Sequence, residues 1–118
     1  MTDPVELENH PRVQRWFKAA RYDQNPAEER QRKLALLAEF MDHVGRDPDD
    51  LVTHLHRTTK QGHAAFSFKK RDVLNAAIDE FVDKRGLTGK DAVVTGNLIR
   101  SYLVHNGIFL PSKAWMGR

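Results

Sequence analysis

The sequence contains no cysteine, which excludes a disulfide scaffold, a thiol nucleophile and any zinc site built on thiolates. No run approaches the ~20 apolar residues of a membrane span, and Met1-Thr2-Asp3-Pro4-Val5-Glu6 lacks the basic and apolar regions of a secretory signal. A cytoplasmic chain without membrane contact is the expectation. Glycine-rich phosphate loops, a nucleophile elbow and the metalloprotease histidine pair are missing as well. With no nucleophile placed beside a base, no catalytic residue is assigned. Sustained alternation of β-branched residues is also lacking; Val93-Val94-Thr95 is short and falls within a helical period.

What remains is a chain of 118 residues, 40% hydrophobic and 30% charged. That is enough apolar matter for one core and too much for disorder. A single domain over 1–118 is expected, with 1–10 as an N-terminal arm and 111–118 as a C-terminal tail or linker. Lys and Arg number 19 against 16 Asp and Glu, a net charge of +3. With a pI near 9.4, nucleic-acid binding is permitted without being required.

Breakers and apolar period divide the chain into helices. After Pro11, the residues Val13, Trp16, Phe17 and Ala20 share one stripe of a helix that ends near Tyr22. Asn25-Pro26 with Glu28 and Glu29 combines a capping side chain, an early proline and carboxylates at the positive helix end. It opens a helix over 26–44 that buries Leu34, Leu37, Ala38, Met41 and Val44, and Gly45 closes it. Asp47-Pro48-Asp49-Asp50 repeats that grammar for a short helix over 48–57 with Leu51, Val52 and Leu55 inside. The stretch 57–66 has no period and reads as a loop. A helix over 67–85 buries Leu74, Ala77, Ile78, Phe81 and Val82 and stops at Gly86. Thr88 with Asp91 resembles a capping box for a last helix through Asn106, whose core stripe is Leu98, Ile99, Tyr102 and Leu103. The fold class is all-α, a compact bundle of four to five helices.

Six histidines raise the question of a metal. His54 and His56, two apart on the expected short helix, would point to different faces, and His10, His43, His63 and His105 lie in separate elements. No metal site and no cofactor are predicted. The acid pairs Glu28-Glu29 and Asp49-Asp50 are accounted for by the helix dipole.

The basic residues are more informative. Arg15, Lys18 and Arg21 ride the first helix, Arg30, Arg32 and Lys33 begin the second, and Lys69-Lys70-Arg71 begin the fourth. Cations at a helix start oppose the dipole, so Lys69 and Lys70 gain nothing locally and suit an external anion. Lys60 sits in the long loop, where ligand contact is common. On the polar side of the last helix stand Lys90, Asn97, Arg100 and Ser101. Arginine and asparagine match guanine and adenine edges, while serine and lysine hold phosphates.

The order of features resembles a known family. Trp16-Phe17, followed by Asn25-Pro26-Ala27-Glu28-Glu29-Arg30-Gln31-Arg32-Lys33-Leu34-Ala35-Leu36-Leu37-Ala38-Glu39-Phe40, looks like the opening of the core-binding domain of tyrosine recombinases and phage or archaeal-type integrases. Val44-Gly45-Arg46-Asp47-Pro48-Asp49-Asp50-Leu51 resembles the junction in archaeal-type members, and Leu98-Ile99-Arg100-Ser101-Tyr102-Leu103-Val104-His105-Asn106-Gly107-Ile108 is similar to the family's final helix. The similarity spans about 11–110.

It implies a sterile-alpha-motif-like bundle with orthogonal packing that clamps double-stranded DNA. Arg30, Arg32 and Lys33 of the second helix, and Lys90, Asn97, Arg100 and Ser101 of the last, would face the duplex. The family's catalytic residues belong to a separate C-terminal domain, so the resemblance implies a non-catalytic module, either a fragment or a free-standing relative. Its further partners would be a catalytic domain or neighbouring protomers on DNA. A competing reading is a phage-type helical protein-interaction adaptor without DNA binding, presenting Trp16, Phe17, Trp115 and Met116.

Overall fold

The computed structural model describes residues 2–58, 60–62, 64–108 and 110. Among these, the order is α1 (Pro4–Glu8), α2 (Pro11–Ala19), a 3-10 turn (Tyr22–Gln24), α3 (Ala27–Val44), α4 (Pro48–Thr53), β1 (His56–Thr58), β2 (Ala64–Phe66), α5 (Phe68–Lys84) and α6 (Gly89–Val104). The class is all-α, as the apolar period requires. The expected tail over 111–118, with Trp115 and Met116, lies outside the described residues.

The expected N-terminal arm over 1–10 is corrected. Asp3 accepts from the Val5 amide at 2.9 Å, Pro4 takes an early position, and Leu7 is buried in the resulting helix. Asp3-Pro4 is the same start grammar as Asp47-Pro48, so the signal was present. One apolar anchor gave no period to read. The amide and hydroxyl of Thr2 both donate to Asp42 on α3, at 2.8 and 2.6 Å, which ties the N-terminus to that helix.

Two cap assignments also change. Pro26, not Asn25, occupies the cap position of α3, and the Asn25 carbonyl instead accepts from the Arg30 guanidinium. Thr88 caps α6 without a side-chain bond. Asp47 behaves as expected, accepting from the Asp50 amide at 2.7 Å. The short helix stops at Thr53, where the expectation ran to 57.

From there the expected loop is an antiparallel hairpin, with His56 opposite Phe66, Arg57 opposite Ala65 and Thr58 opposite Ala64. Strands of three residues show too little alternation to register as a period. The open end of the hairpin is held by contacts across it: the Ser67 amide donates to the Leu55 carbonyl at 2.7 Å, and the His56 and Phe66 rings meet edge to face at 5.8 Å.

The core gathers at the α2–α6 contact. Trp16 is buried with its ring edge-on to Phe17, Tyr22 and Tyr102 at 5.1 to 5.6 Å. Leu34, Leu37, Phe40 and Met41 of α3, Leu51 and Leu55 around α4, Ile78 of α5, and Ile99 and Leu103 of α6 complete it. Trp16 and Phe17 are therefore interior residues, not the partner surface of the adaptor reading. The buried Tyr102 hydroxyl donates to the Pro48 carbonyl at 2.9 Å, joining α6 to the start of α4, and burial pushes its pKa up.

Candidate nucleic-acid interface

The residues expected to face DNA separate into an interior group and several exterior groups. Arg100 belongs to the interior: it is 1% exposed. Its Nε donates to Asn75 Oδ1 at 2.8 Å, one terminal nitrogen to Asp79 Oδ1 at 2.9 Å, and the other to Asn97 Oδ1 at 3.3 Å. A guanidinium held by three bonds and enclosed to this degree cannot reach a base edge, so the expected reading role is corrected to a structural one.

The space for it comes from Gly96. A Cβ there would stand 2.8 Å from an Arg100 terminal nitrogen, with Ile78 and Val82 of α5 also in contact. The seam is legible in part, since Asn75 and Asp79 are one turn apart on α5 and Gly96 and Arg100 one turn apart on α6. That the two faces meet is a tertiary fact.

Ser101 is likewise turned inward, its Oγ accepting from the Trp16 indole N–H at 3.0 Å. This satisfies a donor that would otherwise be orphaned in the core. Asn97 is half-buried by its bond to Arg100.

Outside, Arg32 and Lys33 of α3 meet Asn97 of α6 along one groove of about 680 Å³, with Leu36, Val94 and Leu98 exposing apolar surface in it. Arg30 is drawn to the other side of α3, near Lys18 and Asp23. Lys60 is exposed at the hairpin turn, and Lys90 is exposed in the first turn of α6.

Lys69 and Lys70 line a third concavity, of about 550 Å³, with Arg46, His54, His56, Ser67 and Val73. Ser67 starts α5 here, its Oγ accepting from the Lys70 amide at 3.2 Å. Both lysines are exposed, and neither forms an ion pair among the described residues. Arg46, also part of the lining, is paired with Asp50 at 2.9 Å.

Arg46, His54 and His56 were not assigned to a binding surface from the sequence. The expected geometry put the two histidines on different faces of a helix. Because α4 stops at Thr53, they fall where the chain bends into β1, and both line the same hollow. Burial lowers the His54 pKa and so favours the neutral ring, opposed by the bond of its Nδ1 to the Asp50 carbonyl.

This arrangement can hold an extended polyanion. It has exposed cations at its edge, a helix start whose dipole adds positive potential, and no carboxylate in its lining among the described residues. Among the described residues no three His, Asp or Glu side chains group as a metal site needs, and no helix is long and apolar enough to cross a membrane. Compared with protein-family models, curated proteins and solved structures, the chain finds no match.

Proposed function

We propose that the protein is a non-catalytic DNA-binding module that holds duplex DNA through phosphate contacts at the junction of α4, the hairpin and α5. The observation that carries this reading is the hollow in which Lys69, Lys70 and Arg46 gather with His54 and His56 and no acid. Phosphate contacts give affinity and register without sequence information, which agrees with the burial of Arg100. The likeness of the sequence to recombinase core-binding domains supports the same class of partner. Its surface differs from the one that likeness implies, because the arginine of the last helix is committed to the interior.

A titration of duplex DNA over a salt series tests this. With roughly 2–3 phosphates engaged, log K falls against log salt with a slope of about −2 to −3, near −0.9 per contact. The double variant Lys69→Ala/Lys70→Ala reduces that slope by about two units on specific and scrambled duplexes alike. Binding that is absent at low salt, or unchanged in the double variant, overturns the assignment.

A further inference from the structure

The groove between α3 and α6 has a different chemistry from the basic hollow. Leu36 on α3 and Val94 and Leu98 on α6 expose apolar surface in it, and Val94 is 57% exposed. A sugar-phosphate backbone presents mainly charged phosphates and small sugar edges, so covering these side chains gains most hydrophobic free energy from an extended apolar counterpart. Cations flank them. Arg32 is exposed, and the Lys33 ammonium lies 4.8 Å from the centre of the Tyr22 ring. Glu39, the only acid of the lining among the described residues, is already neutralised by Arg85, which stands in the same groove. Neither Arg32 nor Lys33 forms an ion pair among the described residues. The surface left for a partner is apolar in the middle and positive at the edge.

From Arg32 to Glu39 the groove runs along two turns of α3 and faces Val94 to Leu98 on α6. A groove between two helices, floored by aliphatic side chains over this length, suits another helix presenting a stripe at i, i+3, i+4 and i+7. Charge decides which helix. We infer that the α3–α6 groove is a docking site for an acidic amphipathic helix of a partner protein, its aliphatic stripe on Leu36, Val94 and Leu98 and its carboxylates toward Arg32 and Lys33. This surface is separate from the Lys69–Lys70 hollow and stands whether or not that hollow binds DNA.

The test is fluorescence anisotropy of the full chain with a labelled peptide of about 12–15 residues, long enough for a helix to begin to hold. It carries Leu on the stripe and Glu elsewhere. Val94→Glu and Arg32→Glu place an acid at exposed positions, so both variants should keep the helical circular dichroism of the parent. Each is expected to weaken peptide binding about tenfold, while Lys69→Ala/Lys70→Ala leaves it unchanged. A peptide of the same composition in scrambled order, and one with Lys for Glu, are expected to bind at least tenfold more weakly.

The inference fails if the Leu/Glu peptide does not bind, if either control peptide matches it, or if both groove variants bind it like the parent. Loss of peptide binding in the Lys69→Ala/Lys70→Ala variant would move the contact to the other face and overturn it too. So would loss of duplex binding in Val94→Glu, which would make the groove a DNA surface.

Discussion

Arg100 and the Lys69–Lys70 pair carry charge of the same sign on neighbouring helices, and their surroundings differ in every respect that matters. Arg100 is enclosed between α5 and α6 and meets one carboxylate and two amide oxygens. Lys69 and Lys70 stand in water at the start of α5, without an acid partner among the described residues. Only an enclosed cation has to be matched bond for bond, because desolvation is costly unless the geometry returns it. The outer pair keeps its hydration until an anion arrives. Positive residues on a polar helix face are therefore of two kinds, and the neighbouring helix decides between them.

The largest effect that sharpens this contrast should follow Asp79→Ala, which leaves the buried guanidinium without its carboxylate. A loss of about 3 kcal/mol is expected, at the lower end for a broken buried pair because Asp79 is itself partly exposed. Arg100→Met should cost less, since the charge that stays behind can reach water. Urea midpoints for the two variants check the order, and the reverse order would mean that the seam is held by packing alone.

Next comes Gly96→Ala. In an ordinary helix interior this exchange stabilises by roughly 0.5–1 kcal/mol. Here the new methyl would meet the Arg100 guanidinium at 2.8 Å, and the bonds to Asn75 and Asp79 prevent an easy retreat. A net loss of about 1–2 kcal/mol is expected. A gain in thermal stability would show that the guanidinium moves freely.

On the other side of the comparison, Lys69→Ala/Lys70→Ala should change stability by no more than about 0.5 kcal/mol per site, as surface substitutions do. If the proposed function holds, the same variant is expected to lose DNA affinity. A large stability change would mean that these lysines serve the fold.

The smallest effect is one of pH. The folded protein holds His54 neutral to a lower pH than the unfolded chain, whose histidine titrates near 6.5. The unfolded state thus binds this proton first, and stability falls as the pH drops below about 6.5. His54→Gln should flatten that part of the stability profile, measured by urea unfolding between about pH 7.5 and 5.5. An unchanged profile would mean that His54 is solvated like its unfolded counterpart.

Much of the scaffold could be read in advance from local chemistry. The apolar stripes Val13-Trp16-Phe17, Leu34-Leu37-Met41 and Ile99-Tyr102-Leu103 are buried as their spacing requires, and Asp47 caps α4 as expected. The candidate site was legible only in fragments. Lys69 and Lys70 could be picked out because they oppose the dipole of their own helix, and Arg32 with Asn97 because they share the polar sides of two helices. Arg46, His54 and His56 carried no such signal, since their joining depends on a hairpin too short to show a period.

Periodicity and helix-start grammar act over one or two turns, so the sequence by itself determined the helical class, most of the helix bounds and the residues that avoid water. Which polar residue goes inside is a different kind of question. A stripe of arginine and asparagine looks alike on an exposed face and on a buried one, and only the approach of α5, admitted by the missing side chain of Gly96, made Arg100 an interior ion. In the same way the turn from α4 into the hairpin brought His54 and His56 to the lysines of α5. Tertiary contacts decided the fate of the charges because the energy of a charge depends on what surrounds it, and residues distant in the chain supply those surroundings.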